Sequence, residues 1–274
     1  MFIRKRAYMI SLMELLKEAQ GAPKAIILAG APGAGKSSVT GEVISDLGLK
    51  VMNIDNFFIK NLRDAGISLD LKKADAEGRS GAAKAMQAAQ KDYQAALAQE
   101  IGSRENIVID GTAASYKKTE SLKNTLETAG YDVMMVFVYS SLEKSLKKNE
   151  DRFERSAGED RSLMPSIVMQ TWANVTKNFI PYLNLFGQNF VATTKDKDPF
   201  GKASLDKIVK RYIEPYRPTD TKEKSEKEIA RAEAEKEKLE QEIISLRDEK
   251  NVQDILQQTV SIPEAQSKIK QFLN

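Results

Sequence analysis

The run Gly30-Ala31-Pro32-Gly33-Ala34-Gly35-Lys36-Ser37 fits the pattern G-x-x-x-x-G-K-[ST], and no other stretch restricts the fold of this chain so sharply. The residues before it, Ala25-Ile26-Ile27-Leu28-Ala29, form a short apolar run that suits a strand buried on both faces. The residues after it, Ser37 to Leu47, have helical spacing and are closed by Gly48. A strand that turns through glycines into a helix points backbone N–H groups and the positive end of the helix at one spot, which is a device for holding phosphate. Gly33 and Gly35 supply the backbone freedom such a turn needs. In this pattern Lys36 reaches the β- and γ-phosphates of a nucleoside triphosphate and the Ser37 hydroxyl ligates Mg²⁺. The expected nucleotide contacts are Gly30, Ala31, Pro32, Gly33, Ala34, Gly35, Lys36, Ser37 and Ser38. The loop alone says nucleotide; it does not separate kinase from ATPase, GTPase or motor.

Further along, apolar runs alternate with helical patterns. Val51–Ile54, Ile107–Ile109, Tyr131–Tyr139 and Asn189–Thr193 read as strands. Between them lie an alanine-rich helical stretch over 60–100, helices over Lys117–Thr128 and Leu142–Arg155, and a helical stretch over Pro165–Phe186 interrupted at Pro181. This alternation predicts an α/β domain with a parallel sheet, the three-layer P-loop NTPase fold, over residues 21–215. Residues 1–20 read as an N-terminal helix, from apolar positions spaced between Met9 and Leu16. Residues 216–274 read as a charged, helical C-terminal extension. Within it, Ile229, Ala232, Lys236, Leu239, Ile243 and Leu246 recur at heptad-like spacing. Two readings stay open: a solvated arm, or a short coiled coil that makes an oligomer or partner contact through 221–250.

Composition removes several chemistries. The chain has 274 residues with no cysteine and no histidine. Disulfides, thiolate zinc sites, cysteine nucleophiles and a histidine base are all impossible. Proton transfer at neutral pH must use a carboxylate, lysine, tyrosine or water. The net charge of +3, from 42 basic against 39 acidic residues, is too balanced for a dedicated nucleic-acid surface. The longest apolar runs are strand-sized, too short to span a membrane. The basic start, Met1–Arg6, is followed by a segment carrying Glu14, a poor signal peptide. A cytoplasmic protein is expected.

Ligands of open α/β sheets sit outside the carboxyl ends of the strands. Asp55 and Asp110 both fall there. One carboxylate can face Mg²⁺ and the other can take the proton of an attacking hydroxyl; the assignment preferred is Asp55 as base and Asp110 on the metal side. Asn56 and Thr112 flank these positions as candidate substrate contacts, and Thr112 equally suits a helix cap. Arg152, Arg155 and Arg161 follow the fourth strand. Arginines there can stabilise the charge of a phosphoryl-transfer transition state, while a solvated basic face is the ordinary alternative.

Taken together, the loop Gly30–Ser37, the stretches Ile54-Asp55-Asn56 and Ile109-Asp110-Gly111-Thr112, the Ala129-Gly130-Tyr131 turn, Arg152 and Arg161-x-x-x-Pro165 resemble the zeta-toxin-like P-loop kinases over residues 25–190. That family uses ATP–Mg²⁺ to phosphorylate a sugar hydroxyl of UDP-N-acetylglucosamine. The resemblance implies ATP and Mg²⁺ here, with Lys36 and Ser37 on ATP and Arg152 and Arg161 on its terminal phosphates. The family's base stands two positions after the first aspartate of its strand end, where this chain has Phe57. Either Asp55 takes that role or the activity differs. Asp110 stands where the family has Glu, and Leu69–Ile101 does not match.

The function expected first is ATP-dependent phosphotransfer to a hydroxyl of a small acceptor, such as a nucleotide-sugar, nucleoside or antibiotic. A nucleic-acid or modified-base kinase is the second reading. A nucleotide-switched assembly protein, acting through its C-terminal arm, is the third.

Overall fold

The computed structural model describes residues 21–71, 74–156, 163–201, 203–212, 214 and 226–274, without the side chains of 42, 153–155 and 226–228. The helix expected over 8–19 and the residue Arg161 lie outside the described residues, as does the side chain of Arg155.

The chain runs β1 (Lys24–Ala29), α1 (Lys36–Leu47), β2 (Lys50–Asn53), α2 (Ile54–Asp64), α3 (Ala76–Ser103), β3 (Ile107–Asp110), α4 (Tyr116–Thr128), β4 (Asp132–Tyr139), α5 (Leu142–Arg155), α6 (Pro165–Lys177), α7 (Phe179–Phe186), β5 (Phe190–Thr194), α8 (Leu205–Tyr212), α9 (Glu226–Leu246), α10 (Glu249–Gln257), β6 (Thr259–Val260) and α11 (Ile262–Leu273). The six strands lie in the order β2-β3-β1-β4-β5-β6, every pair parallel. Parallel strands need crossovers, and helices supply them on both faces. The alternation of side chains in β1 shows this directly. Ala25, Ile27 and Ala29 join a core with Leu126 of α4, Phe179 and Tyr182 of α7, and Val252 and Ile255 of α10. Ile26 and Leu28 join the opposite core with Val39 and Val43 of α1 and Ala265 and Ile269 of α11. The result is the three-layer P-loop fold, with a helical C-terminal region, that the alternation predicts.

Three local differences from the sequence reading have physical causes. Ile54 begins a helix instead of ending a strand, because the Asn53 side chain caps α2 by accepting from the Asp55 N–H at 2.8 Å. The expected break at Pro181 falls three residues earlier, at Asn178; Pro181 sits in the first turn of α7, where a helix has no use for its missing N–H. Asn178 stays put by donating to the Ala114 carbonyl at 3.2 Å. The C-terminal region does not stand apart from the sheet. Residues 229–238 of α9 are exposed, but Ile243 and Leu246 are buried against Trp172 and Ala173 of α6. Beyond them, β6 pairs with β5 and α11 closes the layer over α1. The helical reading of 60–100 corresponds to the end of α2 and to most of α3. Their facing sides form a small core of their own, with Phe58 and Leu62 against Ala85 and Ala89. The alanines are what let two helices approach so closely.

Candidate nucleotide and acceptor site

The loop between β1 and α1 takes its shape from its neighbours as well as from its own glycines. Gly30 N–H donates to the Thr112 carbonyl at 3.2 Å, which ties the loop to the end of β3. A Cβ on Gly30 would lie 2.6 Å from the Val138 carbonyl oxygen, so no side chain fits. Gly33 has φ 78°, in the left-handed region, and its Cα packs under Lys148 of α5. Ala31 and Ala34 are buried beneath the loop. Lys36 folds back over this turn, its Nζ donating to the Gly30 carbonyl at 3.0 Å.

Two carboxylates face this lysine from the adjoining strand ends. Asp110 closes β3, and its Oδ2 accepts from Asn53 Nδ2 at 2.8 Å. Asp55 sits in the first turn of α2. Asn53 therefore touches both residues: its amide N–H₂ donates to the Asp110 carboxylate, and its amide oxygen accepts from the backbone N–H of Asp55. Burial lowers the Lys36 pKa, with Asp110 and then Asp55 pulling it back up. Burial likewise raises Asp110, opposed by Lys36, while the charge of Asp55 pushes it further up. Asp55, Asp110 and Lys36 thus interact as one electrostatic unit.

These groups line a single cleft of about 850 Å³. Its loop end is formed by Pro32, Gly33, Gly35, Lys36, Ser37 and Ser38, with Lys148 and Arg152 arching over from α5. Its middle holds Asn53, Asp55, Asp110 and Thr112. Its far end is walled by Phe58, Leu71, Ala74, Arg79, Ala82 and Met86, and its roof by Leu163, Met164, Ile167 and Thr171. Lys36, Ser37, Ser38, Asp55, Asp110, Thr112 and Arg152, all singled out in the sequence, meet here. Asn56 does not: it is exposed and borders a shallow groove with Ile59, Lys60 and Arg63. One residue along α2 turns it by about 100° away from Asp55. Phe57, where the resembled family has its base, is a packing residue here, edge-on to Tyr93 at 6.1 Å.

Three contributors escaped the sequence reading. Asn53 looks like any strand-end residue. Lys148 sits in a cluster of lysines that reads as solvated surface, yet its spacing of four from Arg152 puts both on one side of α5. Arg79 is a lone arginine at the start of α3. The spacing of Lys148 and Arg152 was the one signal that could have been used.

The donor set fits Mg²⁺. That ion keeps several waters and takes one or two carboxylates besides substrate phosphates. Ser37 and Asp110 border the space where phosphates would lie, and the described residues hold no cluster of three or more metal-binding carboxylates that would suggest an all-protein cage.

A family model described as Zeta toxin matches residues 12–181. Among solved structures, the chain is similar to a complex of AvrRxo1-ORF1 and AvrRxo1-ORF2 with sulphate ions, at 15% identity over 96% of this chain and 85% of that one, with a TM-score of 0.50. It is also similar to the PezAT chromosomal toxin–antitoxin system of Streptococcus pneumoniae, at 16% identity over 89% and 96%, with a TM-score of 0.48. A gluconokinase from Sinorhizobium meliloti 1021 aligns at 18% identity over 70% and 90%, with a TM-score of 0.38. No curated protein matches the chain. At such identities the structural likeness concerns the fold, whereas the family model spans most of the sheet and the whole phosphate loop. With that loop and its lysine now in place, the chain belongs to the zeta toxin family.

Proposed function

We propose that this protein is an ATP-dependent phosphotransferase that moves the γ-phosphate of ATP to a hydroxyl of a small acceptor, such as a nucleotide-sugar or nucleoside. The observation that carries the proposal is the continuity of the cleft. One space of about 850 Å³ is lined by the phosphate loop, by two carboxylates and by apolar residues of α2 and α3. A nucleotide hydrolase needs only the first part.

In this reading the loop N–H groups and Lys36 hold the β- and γ-phosphates. Ser37 and Asp110 would hold Mg²⁺, which would supply positive charge to the phosphates. Lys148 and Arg152 balance charge on the equatorial oxygens as the bond to the leaving phosphate loosens. Arg161, outside the described residues, is assigned the same role, and Arg155 a weaker one. Asp55 stands on the acceptor side and takes the proton of the attacking hydroxyl. Asn53 keeps the two aspartates in their separate positions. Thr112 lines the acceptor path.

Incubation with labelled ATP–Mg²⁺ and a panel of nucleotide-sugars, nucleosides, oligonucleotides and antibiotics tests the proposal. Transfer to a small hydroxyl compound is expected; hydrolysis alone, across the panel, would overturn it. Asp55→Asn is expected to lower transfer by at least about 100-fold while ATP still binds. Full transfer by that variant would remove Asp55 from the role of base.

A further inference from the structure

The segment that leaves β3 carries Asp110, Gly111 and Thr112 along the cleft and enters α4 at Tyr116. Within it Ala113 has φ 53°, in the left-handed region. A residue with a Cβ is strained there, because the Cβ crowds the following carbonyl oxygen. Among the described residues one other non-glycine residue has a positive φ, Arg104. Arg104 ends α3, and a left-handed residue is an ordinary way to stop a helix. Ala113 ends no helix. Strain of this kind persists only where the surrounding structure imposes it.

Packing does not impose it at Gly111, where an added Cβ would meet nothing within 4 Å. Hydrogen bonds do, on three successive carbonyls. The Thr112 carbonyl accepts from the Gly30 N–H at 3.2 Å, the Ala113 carbonyl from the Tyr182 hydroxyl at 2.7 Å, and the Ala114 carbonyl from Asn178 Nδ2 at 3.2 Å. The middle bond is the shortest. Its donor, on α7, is 0% exposed and stacks on Tyr116 with ring centroids 5.6 Å apart. A carbonyl can only accept, so the single phenol proton goes to Ala113. The Thr119 hydroxyl lies 3.1 Å from the phenol oxygen and is left to donate to it. Burial raises the pKa of Tyr182, which keeps that proton in place at neutral pH.

We propose that Tyr182 is a positioning residue for the nucleotide site: its hydroxyl holds Ala113 in the left-handed conformation, which keeps the Thr112 carbonyl on the Gly30 N–H and so fixes the start of the phosphate loop against the end of β3. Tyr182 does not itself line the cleft, so it acts through Ala113 and Thr112. Without the phenol, Ala113 relaxes to a negative φ. The peptide units on either side turn with it, and the Thr112 carbonyl leaves Gly30. The nucleotide must then order the loop as it binds, at a cost in affinity. The consequence for phosphate transfer rests on the phosphotransferase reading; the consequence for nucleotide binding does not.

Calorimetric titration of the full chain with AMP-PNP and Mg²⁺ tests this. Tyr182→Phe removes the hydroxyl and keeps the stacked ring. It is expected to weaken binding at least about fivefold. Adding Ala113→Gly to that variant is expected to bring the affinity back to within about twofold of wild type, because glycine adopts the left-handed conformation without help. A lower melting temperature with unchanged affinity would make Tyr182 a packing residue only and overturn the proposal. Weakened binding that glycine does not restore would overturn it as well. Ala113→Gly alone, which leaves the phenol in place, is expected to raise the melting temperature by about 2 °C; a fall would show that Ala113 is not strained. Where transfer is measured, Tyr182→Phe is expected to raise the KM for ATP by a larger factor than it lowers kcat, and the reverse split would count against a role at the loop. The two proposals fail separately: no transfer to any acceptor rejects the phosphotransferase reading, while the titration and its rescue by glycine still decide the role of Tyr182.

Discussion

A methyl group added at Gly30 would press on the backbone carbonyl of Val138, deep in β4, which cannot move aside without breaking the sheet. Gly30→Ala is therefore expected to cost on the order of 3 kcal/mol in stability, read by urea unfolding. Wild-type stability in that variant would mean the loop can shift. The charged residues make a different prediction, one about pH. In the proposed reaction Lys36 must be protonated to hold phosphate, and burial lowers its pKa below the ordinary 10.5. In the same reading Asp110 must be ionised to face a metal, and burial raises its pKa above the ordinary 3.8. The pH profile of kcat/KM for ATP reports groups of the free enzyme. It is expected to be a bell whose alkaline limb lies below 10.5 and whose acid limb lies above 3.8. A profile that stays flat to both values would separate these two groups from catalysis. At this scale the sequence was informative where a residue's neighbours in the chain are also its neighbours in space. The loop, Asp55 and Asp110 were legible because each lies at the end of an apolar run. Arg79 was not, because it comes to share a cleft with Asp55 and Phe58 only through the packing of α3 against α2.

Whole elements were legible in proportion to their length and apolar regularity. β4, eight residues long and buried from its second residue onward, could be read as a strand from composition alone. β6 has two residues, Thr259 and Val260, and exists only because β5 offers an edge to pair with. No local pattern encodes that. The helix after it matters more than its charged setting suggests. Ile269 of α11 is 1% exposed and shares a core with Val39 and Val43 of the nucleotide-binding helix. Ile269→Ala is expected to destabilise the protein by about 2–4 kcal/mol. Ile229→Ser, on the exposed half of α9, is expected to change stability by less than about 0.5 kcal/mol. Thermal denaturation of the two variants side by side checks both. Comparable losses would mean that the exposed half of α9 is packed in solution.

Across the whole molecule, the C-terminal region is joined to the helix that borders the cleft by a partly buried ion pair. Arg247, just after α9, pairs with Glu143 in the first turn of α5 and also donates to the Ala203 carbonyl. The same helix carries Lys148 and Arg152 over the phosphate loop. Close by, Asp196 accepts from the Ser141 N–H and pairs with Lys144, so the start of α5 is held from two directions. Arg247→Met would leave Glu143 largely buried without its cation, at a cost of about 3 kcal/mol. Thermal melts should show that loss, and the rate of transfer should fall with it as α5 loosens. The double variant Glu143→Gln/Arg247→Met should recover much of the stability; failure to recover would assign the loss to packing. The placement of β6 has a further consequence, for the order in which the protein can be made. Strands β1 to β5 leave the ribosome before residues 195–258, and β6 follows only after them. Throughout that interval β5 is an unpaired sheet edge and the apolar face of α1 awaits α11. An exposed edge of this kind recruits strands from other chains. Pauses in translation between Thr194 and Thr259, or a shortage of chaperones, should therefore favour aggregation over a folded but inactive protein.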